Sequence, residues 1–133
     1  MIVGYTSGVF DLLHYGHYNL LQNARKLCDV LIVGVNSDKL CKEYKNKKPV
    51  MNEEERLKTI RALHLADICL ITAENDRVKL WRKLKFDVLI VGDDWYGDKR
   101  WMEYERRLKG AGVKTIFLPY TKDVSTTKLR REI

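Results

Sequence analysis

Five short runs rich in apolar residues, separated by segments with helical periodicity, constrain the fold of this chain more than any other feature. The runs are Met1–Tyr5, Val30–Val35, Ile68–Ile71, Asp87–Val91 and Lys114–Leu118. Between them, apolar residues recur at spacings of three and four, which indicates amphipathic helices, the first of them over Tyr18–Leu27. Apolar strands that alternate with helices form parallel sheets. We therefore expect an α/β fold with helices on both faces of a parallel sheet.

The length of 133 residues leaves room for one packed core, so we expect a single domain over residues 1–133. No apolar run approaches the roughly 18–20 residues of a membrane span, and no basic region precedes the first strand as in a signal peptide. The odd number of cysteines, without metal-ligand spacing, is typical of reduced thiols. These features predict a cytoplasmic protein without membrane insertion.

A formal net charge of +7 is compatible with binding to nucleic acid, to a membrane surface or to small anionic substrates. Nucleic-acid binding is disfavoured because the sequence contains no motif of a nucleic-acid-binding fold. We therefore expect small phosphorylated molecules as substrates.

The segment Gly8–His17 joins the first strand to the first helix. Its residues His14 and His17 are three apart, so both imidazoles lie on one side of the helix start, near backbone N–H groups that lack helical partners. A helix start attracts anions, and two imidazoles would add donors for a phosphate. The alternative is structural, with one histidine capping the helix and the other packed. Gly8 is expected to adopt backbone angles that a side chain would forbid.

Three segments follow the carboxyl ends of predicted strands: residues 8–17, 92–95 and 119–127. Open α/β sheets bind ligands at that edge. We therefore expect the three segments to converge on one crevice.

Elsewhere, Asn52 with Glu55 predicts a capped helix, Gly110 and Gly112 mark a helix end, and residues 125–132 predict a terminal helix.

Gly8–His17 resembles the G-T-F-D-x-x-H-x-G-H signature of the cytidylyltransferase-type nucleotidyltransferases, with Val9 where many members have threonine. The segment 124–127 is similar to their I-S-T-T sequence, and 92–95 is similar to the G-D-D-W of glycerol-3-phosphate cytidylyltransferases. Residues 50–56 resemble the V-M-N-E-N-E-R of the phosphocholine enzymes. The resemblance runs from Tyr5 to Glu132. It implies a Rossmann-like sheet of five strands in the order 3-2-1-4-5.

The resemblance also implies roles for individual residues. The catalytic residues it implies are His14, His17, Lys47 and Arg56. The nucleotide-binding residues it implies are Val9, Phe10, Asp11, His14, Gly16, His17, Lys47, Gly92, Asp94, Trp95, Tyr120, Lys122, Val124, Ser125, Thr126 and Thr127. It implies that Lys45 and Arg77 hold the phosphate of the acceptor, that Asp11 orders its turn rather than acting as a base, and it assigns no residue to a metal.

Two basic positions of the family's phosphate-handling site differ in this chain. Tyr120 and His64 stand where the family has arginines, and Lys122 could restore the first charge. These differences leave the reaction class in place and bear on the acceptor and the base.

The resemblance implies a homodimeric cytidylyltransferase that uses Mg²⁺ and joins CTP to a phosphorylated alcohol, with glycerol 3-phosphate as the leading acceptor, giving CDP-glycerol and pyrophosphate. Ribitol-like phosphates, phosphocholine and phosphoethanolamine are further acceptors. One alternative is an adenylyltransferase of the same fold that acts on a heptose or other sugar phosphate, FMN or a pantetheine-like substrate. Another is a nucleotide-binding regulatory module without catalysis.

Overall fold

The computed structural model describes residues 1–45, 48–92 and 98–119. Within them, one parallel sheet contains the strands β1 (Val3–Gly8), β2 (Val30–Asn36), β3 (Ile68–Thr72), β4 (Val88–Gly92) and β5 (Lys114–Leu118). Their spatial order is β3-β2-β1-β4-β5. Both the fold class and the strand order predicted from the sequence are confirmed.

Five helices connect the described strands: α1 (Tyr15–Arg25), α2 (Asp38–Lys45), α3 (Glu53–Ala62), α4 (Arg77–Leu84) and α5 (Lys99–Gly110). The predicted capping box at Asn52 and Glu55 is present, with N–H···O distances of 2.9 and 3.0 Å. α1 begins at Tyr15, three residues before its predicted start, because His14 caps it. Gly16 and His17 are therefore helical. None of the described helices has the length and apolarity that a bilayer crossing requires.

Two apolar cores lie on opposite faces of the sheet, as strand alternation requires. Tyr5, Ile32 and Leu89 pack with α4 and α5, while Leu31, Val33 and Ile90 pack with α1 and α3. β1 lies at the centre of the sheet, between β2 and β4. The loop after β1 therefore emerges at the middle of the carboxyl edge.

The same pair of reciprocal hydrogen bonds, here called an aspartate bracket, occurs three times at the amino edge of the sheet. The aspartate directly before β2, β3 or β4 donates its N–H to the carbonyl of a residue in, or just before, the adjacent strand nearer the centre, and its carboxylate accepts that residue's N–H. The pairs are Asp29 with Ile2, Asp67 with Leu31 and Asp87 with Val3, with carboxylate distances of 2.7–2.8 Å. Each bracket satisfies a backbone donor that a strand end would leave unpaired.

Candidate active site

His14 and His17 form the capping box of α1. The Nδ1 atom of His14 accepts the N–H of Gly16 at 3.0 Å, and the Nδ1 atom of His17 accepts the N–H of His14 at 3.3 Å. A neutral imidazole whose Nδ1 accepts a hydrogen bond carries its proton on Nε2. Both rings therefore present Nε2–H donors at the helix start.

The two imidazoles are stacked, with centroids 3.8 Å apart and an interplanar angle of 21°. Burial, reinforced by the proximity of His14 and opposed by Asp11, lowers the pKa of His17 to about 4. Burial also lowers the pKa of His14. Both histidines are therefore neutral donors at pH 7. The structural alternative is correct in that His14 caps the helix, but both rings take part in the capping box.

The start of α1 differs from the starts of the other described helices in its charge. No acidic residue lies in its first turn. By contrast, an acidic side chain lies at the cap or in the first turn of every other described helix: Asp38 in α2, Glu53, Glu54 and Glu55 in α3, Asp76 at α4 and Asp98 at α5. The positive end of the helix dipole is therefore available to an anion at α1.

The loop between β1 and α1 contains two left-handed residues, Phe10 with φ 54° and Leu12 with φ 51°. The expectation that Gly8 would take such angles is wrong, since Gly8 lies in β1 and has no positive φ. The space there is tight, because a Cβ at Gly8 would lie 3.2 Å from the ring of Phe10 and would require that ring to shift by a few tenths of an ångström. That ring is buried and meets the edge of His17 at 5.5 Å. The left-handed backbone of this loop thus places the Phe10 ring against His17.

Asp11 anchors the same loop to the segment before α3. Its carboxylate is 3% exposed and accepts the N–H groups of Val50 and Met51 at 2.8 and 3.0 Å. This geometry agrees with the expectation that Asp11 orders the turn.

Arg56 is fully buried at the junction of three segments. Its guanidinium donates to the carbonyls of Met51, Val9 and Asn36 at 2.7–3.0 Å and to the carboxylate of Asp38 at 2.6 Å. These contacts fix the Val9 backbone, next to the expected phosphate site, against the end of β2 and the start of α2. The geometry favours positioning over contact with substrate, and the catalytic role of Arg56 stays a prediction.

Arg77 begins α4 at the carboxyl edge and is 7% exposed. Its Nη1 donates to the carbonyl of Asn75 at 2.9 Å, and its guanidinium lies 4.7 Å from the ring centre of Trp101. No carboxylate pairs with it within the described chain. Burial lowers the pKa of Arg77, opposed by the nearby Tyr5, Tyr104, Tyr44 and Asp76. A buried cation without a counterion is costly, which suits an anionic ligand.

Gly92 ends β4 at the same edge. Several of the expected site residues lie outside the described residues: Lys47, Asp94, Trp95, Tyr120, Lys122, Val124, Ser125, Thr126 and Thr127, together with the side chain of Lys45 and the predicted terminal helix. The expected convergence of 92–95 and 119–127 on the histidines therefore stays a prediction.

His64 is far from this edge. It follows α3 in the left-handed conformation, with φ 55°, and precedes β3 at the amino edge of the sheet. The interpretation of His64 as a residue of the phosphate-handling site is therefore wrong, because chain direction places the start of a parallel strand opposite the ligand edge.

Sequence reasoning missed an aromatic and cationic cluster next to Arg77. Arg100 lies 4.8 Å from the ring centre of Tyr44, which joins α2 to α5, and Trp101 lies beneath Arg77. The only local signal was the position of Arg100 and Trp101 just after the capping residue Asp98.

The chain matches the family described as cytidylyltransferase-like over residues 5–132. It is 35% identical over 129 residues to the bifunctional protein HldE of Desulfatibacillum aliphaticivorans, covering 96% of this chain and 26% of that protein. It is 41% identical over 96 residues to the bifunctional protein HldE of Campylobacter fetus, covering 71% of this chain and 21% of the relative. The chain thus spans about a fifth to a quarter of the length of these curated relatives.

A solved structure is similar to this chain over nearly its whole length. The lipopolysaccharide core biosynthesis protein of Thermoplasma volcanium superposes with a TM-score of 0.76 at 30% identity, covering 93% of this chain and 99% of that one. The pantoate-beta-alanine ligase of Francisella tularensis, at 14% identity and a TM-score of 0.66, shares the fold. With the family match covering residues 5–132, the chain belongs to the cytidylyltransferase-like family.

Proposed function

We propose that this chain transfers a nucleotidyl group from a nucleoside triphosphate to a sugar phosphate and releases pyrophosphate, with ATP as the donor. The observation that carries the proposal is the pair of Nε2–H groups on His14 and His17 at a helix start without acidic residues. Family membership supports the reaction class.

In the proposed reaction, a phosphate oxygen of the acceptor attacks the α-phosphorus. A new P–O bond forms there, the bond to the bridging oxygen breaks, and pyrophosphate leaves with the electron pair. The attacking oxygen is already anionic, so no protein nucleophile is required. The chain must hold two anions in line and stabilise charge on the transferred group, a task for preorganised donors. His14 and His17 can supply such donors from Nε2 in their neutral forms, which the lowered pKa values favour in the unliganded chain.

The remaining residues take proposed roles around this centre. The backbone of Val9, Phe10 and Gly16 contacts the triphosphate, and Arg56 and Asp11 hold that backbone in place. Arg77, with Lys45, binds the phosphate of the acceptor. The nucleotide-side residues include Lys47, Gly92, Asp94 and Trp95, together with Tyr120, Lys122 and the segment 124–127.

Mg²⁺ is part of this proposal. Among residues 1–45, 48–92 and 98–119, no group of three or more His, Cys, Asp or Glu side chains could hold a metal ion. Mg²⁺ usually keeps several waters and binds through substrate phosphates. The triphosphate oxygens are therefore its fitting ligands, and the ion would neutralise charge on the leaving pyrophosphate.

The names of the relatives support a sugar phosphate over a small alcohol phosphate. The matched solved structure is a lipopolysaccharide core biosynthesis protein, and the core of a lipopolysaccharide is built from sugars. A second candidate is transfer from CTP to glycerol 3-phosphate, which the sequence Gly92-Asp93-Asp94-Trp95 favours. A homodimer in the cytoplasm is proposed for either reaction.

Pyrophosphate release tests the proposal directly. ATP and CTP would each be combined with mannose 1-phosphate, a heptose 1-phosphate and glycerol 3-phosphate, with Mg²⁺ present. We expect the highest kcat/KM for ATP with a sugar phosphate and loss of turnover in His14→Ala. A preference for CTP with glycerol 3-phosphate would select the second candidate, and nucleotide binding without turnover would indicate a regulatory module.

A further inference from the structure

Two buried polar atoms at the carboxyl edge have no hydrogen-bond partner within the described residues. They are Oδ1 of Asn36 and Nε of Arg77. Buried polar atoms are almost always paired in folded proteins. An orphaned acceptor and an orphaned donor at the same end of one sheet therefore call for an explanation.

Both residues lie on the face of the sheet that α4 and α5 cover. A Cβ built on Gly34 would lie 2.2 Å from the hydroxyl of Tyr5, whose ring packs on that face. Asn36 is two residues further along β2 and shares the face, because alternate strand residues do. Arg77 begins the helix that covers it and interacts electrostatically with Tyr5.

The chemistry of the pair defines what could satisfy it. The Nε–H of Arg77 requires an acceptor such as a phosphate oxygen, and Oδ1 of Asn36 requires a donor such as a hydroxyl. No described residue makes a hydrogen bond to either atom. A ligand that carries both would pair two atoms that the chain alone leaves unpaired.

We propose that the acceptor is a phosphate ester with a hydroxyl group near its phosphate, bound by Arg77 through the phosphate and by Asn36 through the hydroxyl. This inference rests on the proposed function and names the residue that recognises a hydroxyl group of its acceptor. Sugar and polyol phosphates satisfy both residues. Phosphocholine does not, because its quaternary ammonium has no hydrogen to donate.

Asn36 would then determine specificity, and its side chain can be changed without disturbing Arg56. The contact from Arg56 goes to the backbone carbonyl of Asn36, which any substitution keeps. Asn36→Ala is therefore the main variant, and Asn36→Ser is a second one that keeps an oxygen at shorter reach. Asn23→Ala, at an exposed position on α1, is the matched control.

The test is titration calorimetry with glycerol 3-phosphate, mannose 1-phosphate, phosphocholine and inorganic phosphate, in the presence of α,β-methylene-ATP and, separately, α,β-methylene-CTP. We expect the unmodified chain to bind the hydroxylated esters about tenfold more tightly than phosphocholine, as one buried hydrogen bond allows. Asn36→Ala should remove that difference by weakening the hydroxylated esters alone, Asn36→Ser should reduce it, and Asn23→Ala should change nothing.

The unliganded melting temperature separates recognition from a structural role. Since Oδ1 of Asn36 has no partner in the described chain, Asn36→Ala should not melt below the unmodified chain. Equal affinity for phosphocholine in the unmodified chain, or equal weakening of all esters in Asn36→Ala, would overturn the inference. A hydroxyl preference without turnover on ATP would reject the proposed function alone, and turnover without that preference would reject this inference alone.

Discussion

Asp38 and Glu53 form reciprocal hydrogen bonds: the carboxylate of each accepts the backbone N–H of the other, at 3.2 Å for Asp38 and 3.0 Å for Glu53. The two residues begin α2 and α3, so each carboxylate meets the positive end of the other helix's dipole. Arg56 balances the charge of Asp38 from the buried side. A phosphate approaching these two helix starts meets negative charge, whereas the start of α1 is open to it.

The buried cation at this junction should be costly to remove. We expect Arg56→Leu to lower the free energy of unfolding by about 3–5 kcal/mol, because three carbonyls and a carboxylate lose their donor. Urea unfolding would measure the loss. The control is Arg25→Leu, which breaks the half-exposed ion pair with Asp67 and should cost about 1 kcal/mol or less. Equal losses in the two variants would contradict the structural role of Arg56.

Asparagine at position 14 should separate helix capping from catalysis. An Asn side chain can accept the N–H of Gly16 as His14 does, but it cannot place a donor where Nε2–H lies. We expect His14→Asn to keep the unfolding free energy within about 0.5 kcal/mol and to lower kcat by about 10²–10³. His14→Ala should lose both properties. Turnover near the unmodified rate in His14→Asn would show that the ring acts only as a cap.

The half-buried ring of His17 should make the fold sensitive to mild acid. Its pKa is about 4 in the folded chain and about 6.5 when unfolded, so the unfolded chain binds a proton that the folded chain refuses. Unfolding free energy should therefore be fully present above pH 6.5 and fall as the pH drops toward 4, by about 3 kcal/mol at most. His14, whose pKa is lowered too, contributes in the same direction.

His17→Gln is the matched variant for this pH dependence. Glutamine at the third helical position can accept the N–H of His14, as in ordinary capping boxes, but it does not titrate. Its urea midpoint between pH 4 and 6.5 should vary less than that of the unmodified chain. Parallel pH profiles would assign the acid sensitivity to other groups.

The close approach of Tyr5 to β2 should make Gly34 intolerant of any side chain. A Cβ there would lie 2.2 Å from the Tyr5 hydroxyl and 3.0 Å from the adjoining ring carbon. We expect Gly34→Ala to lower the melting temperature strongly, at a cost of about 2–3 kcal/mol. Adding Tyr5→Phe should recover at least half of that loss, measured by urea unfolding of both single variants and the double variant. Additive effects would contradict this contact.

Much of the fold could be predicted because its signals are local. Apolar runs located the strands, and Asn52 with Glu55 located a helix start. The left-handed angles of Phe10 and Leu12 could not be predicted, since neither residue favours them; tertiary packing of the Phe10 ring imposes them. The same limit applies to the contacts of Arg77, Trp101 and Tyr44, which lie on three separate helices.

The burial of Arg56 could have been predicted from the sequence. With Leu57 and Ile60 it occupies the buried positions of α3, at the spacing of a core-facing stripe. A charged residue on such a stripe indicates a buried, fully bonded cation, whereas the resemblance pointed to catalysis. The interpretation of His64 was wrong for a different reason. Matching a position to a family motif does not by itself state which edge of the sheet the loop occupies.

The aspartate brackets at the amino edge stabilise the fold at the end of the sheet opposite the candidate active site. Replacing one of them should shorten the lifetime of the protein in the cell while each surviving molecule works at its normal rate. Replacements that keep the cap of α1 but remove an Nε2–H donor, such as His14→Asn, should do the reverse, leaving abundance intact and slowing each molecule. A comprehensive mutational scan scored for both abundance and specific activity would therefore separate these two kinds of replacement.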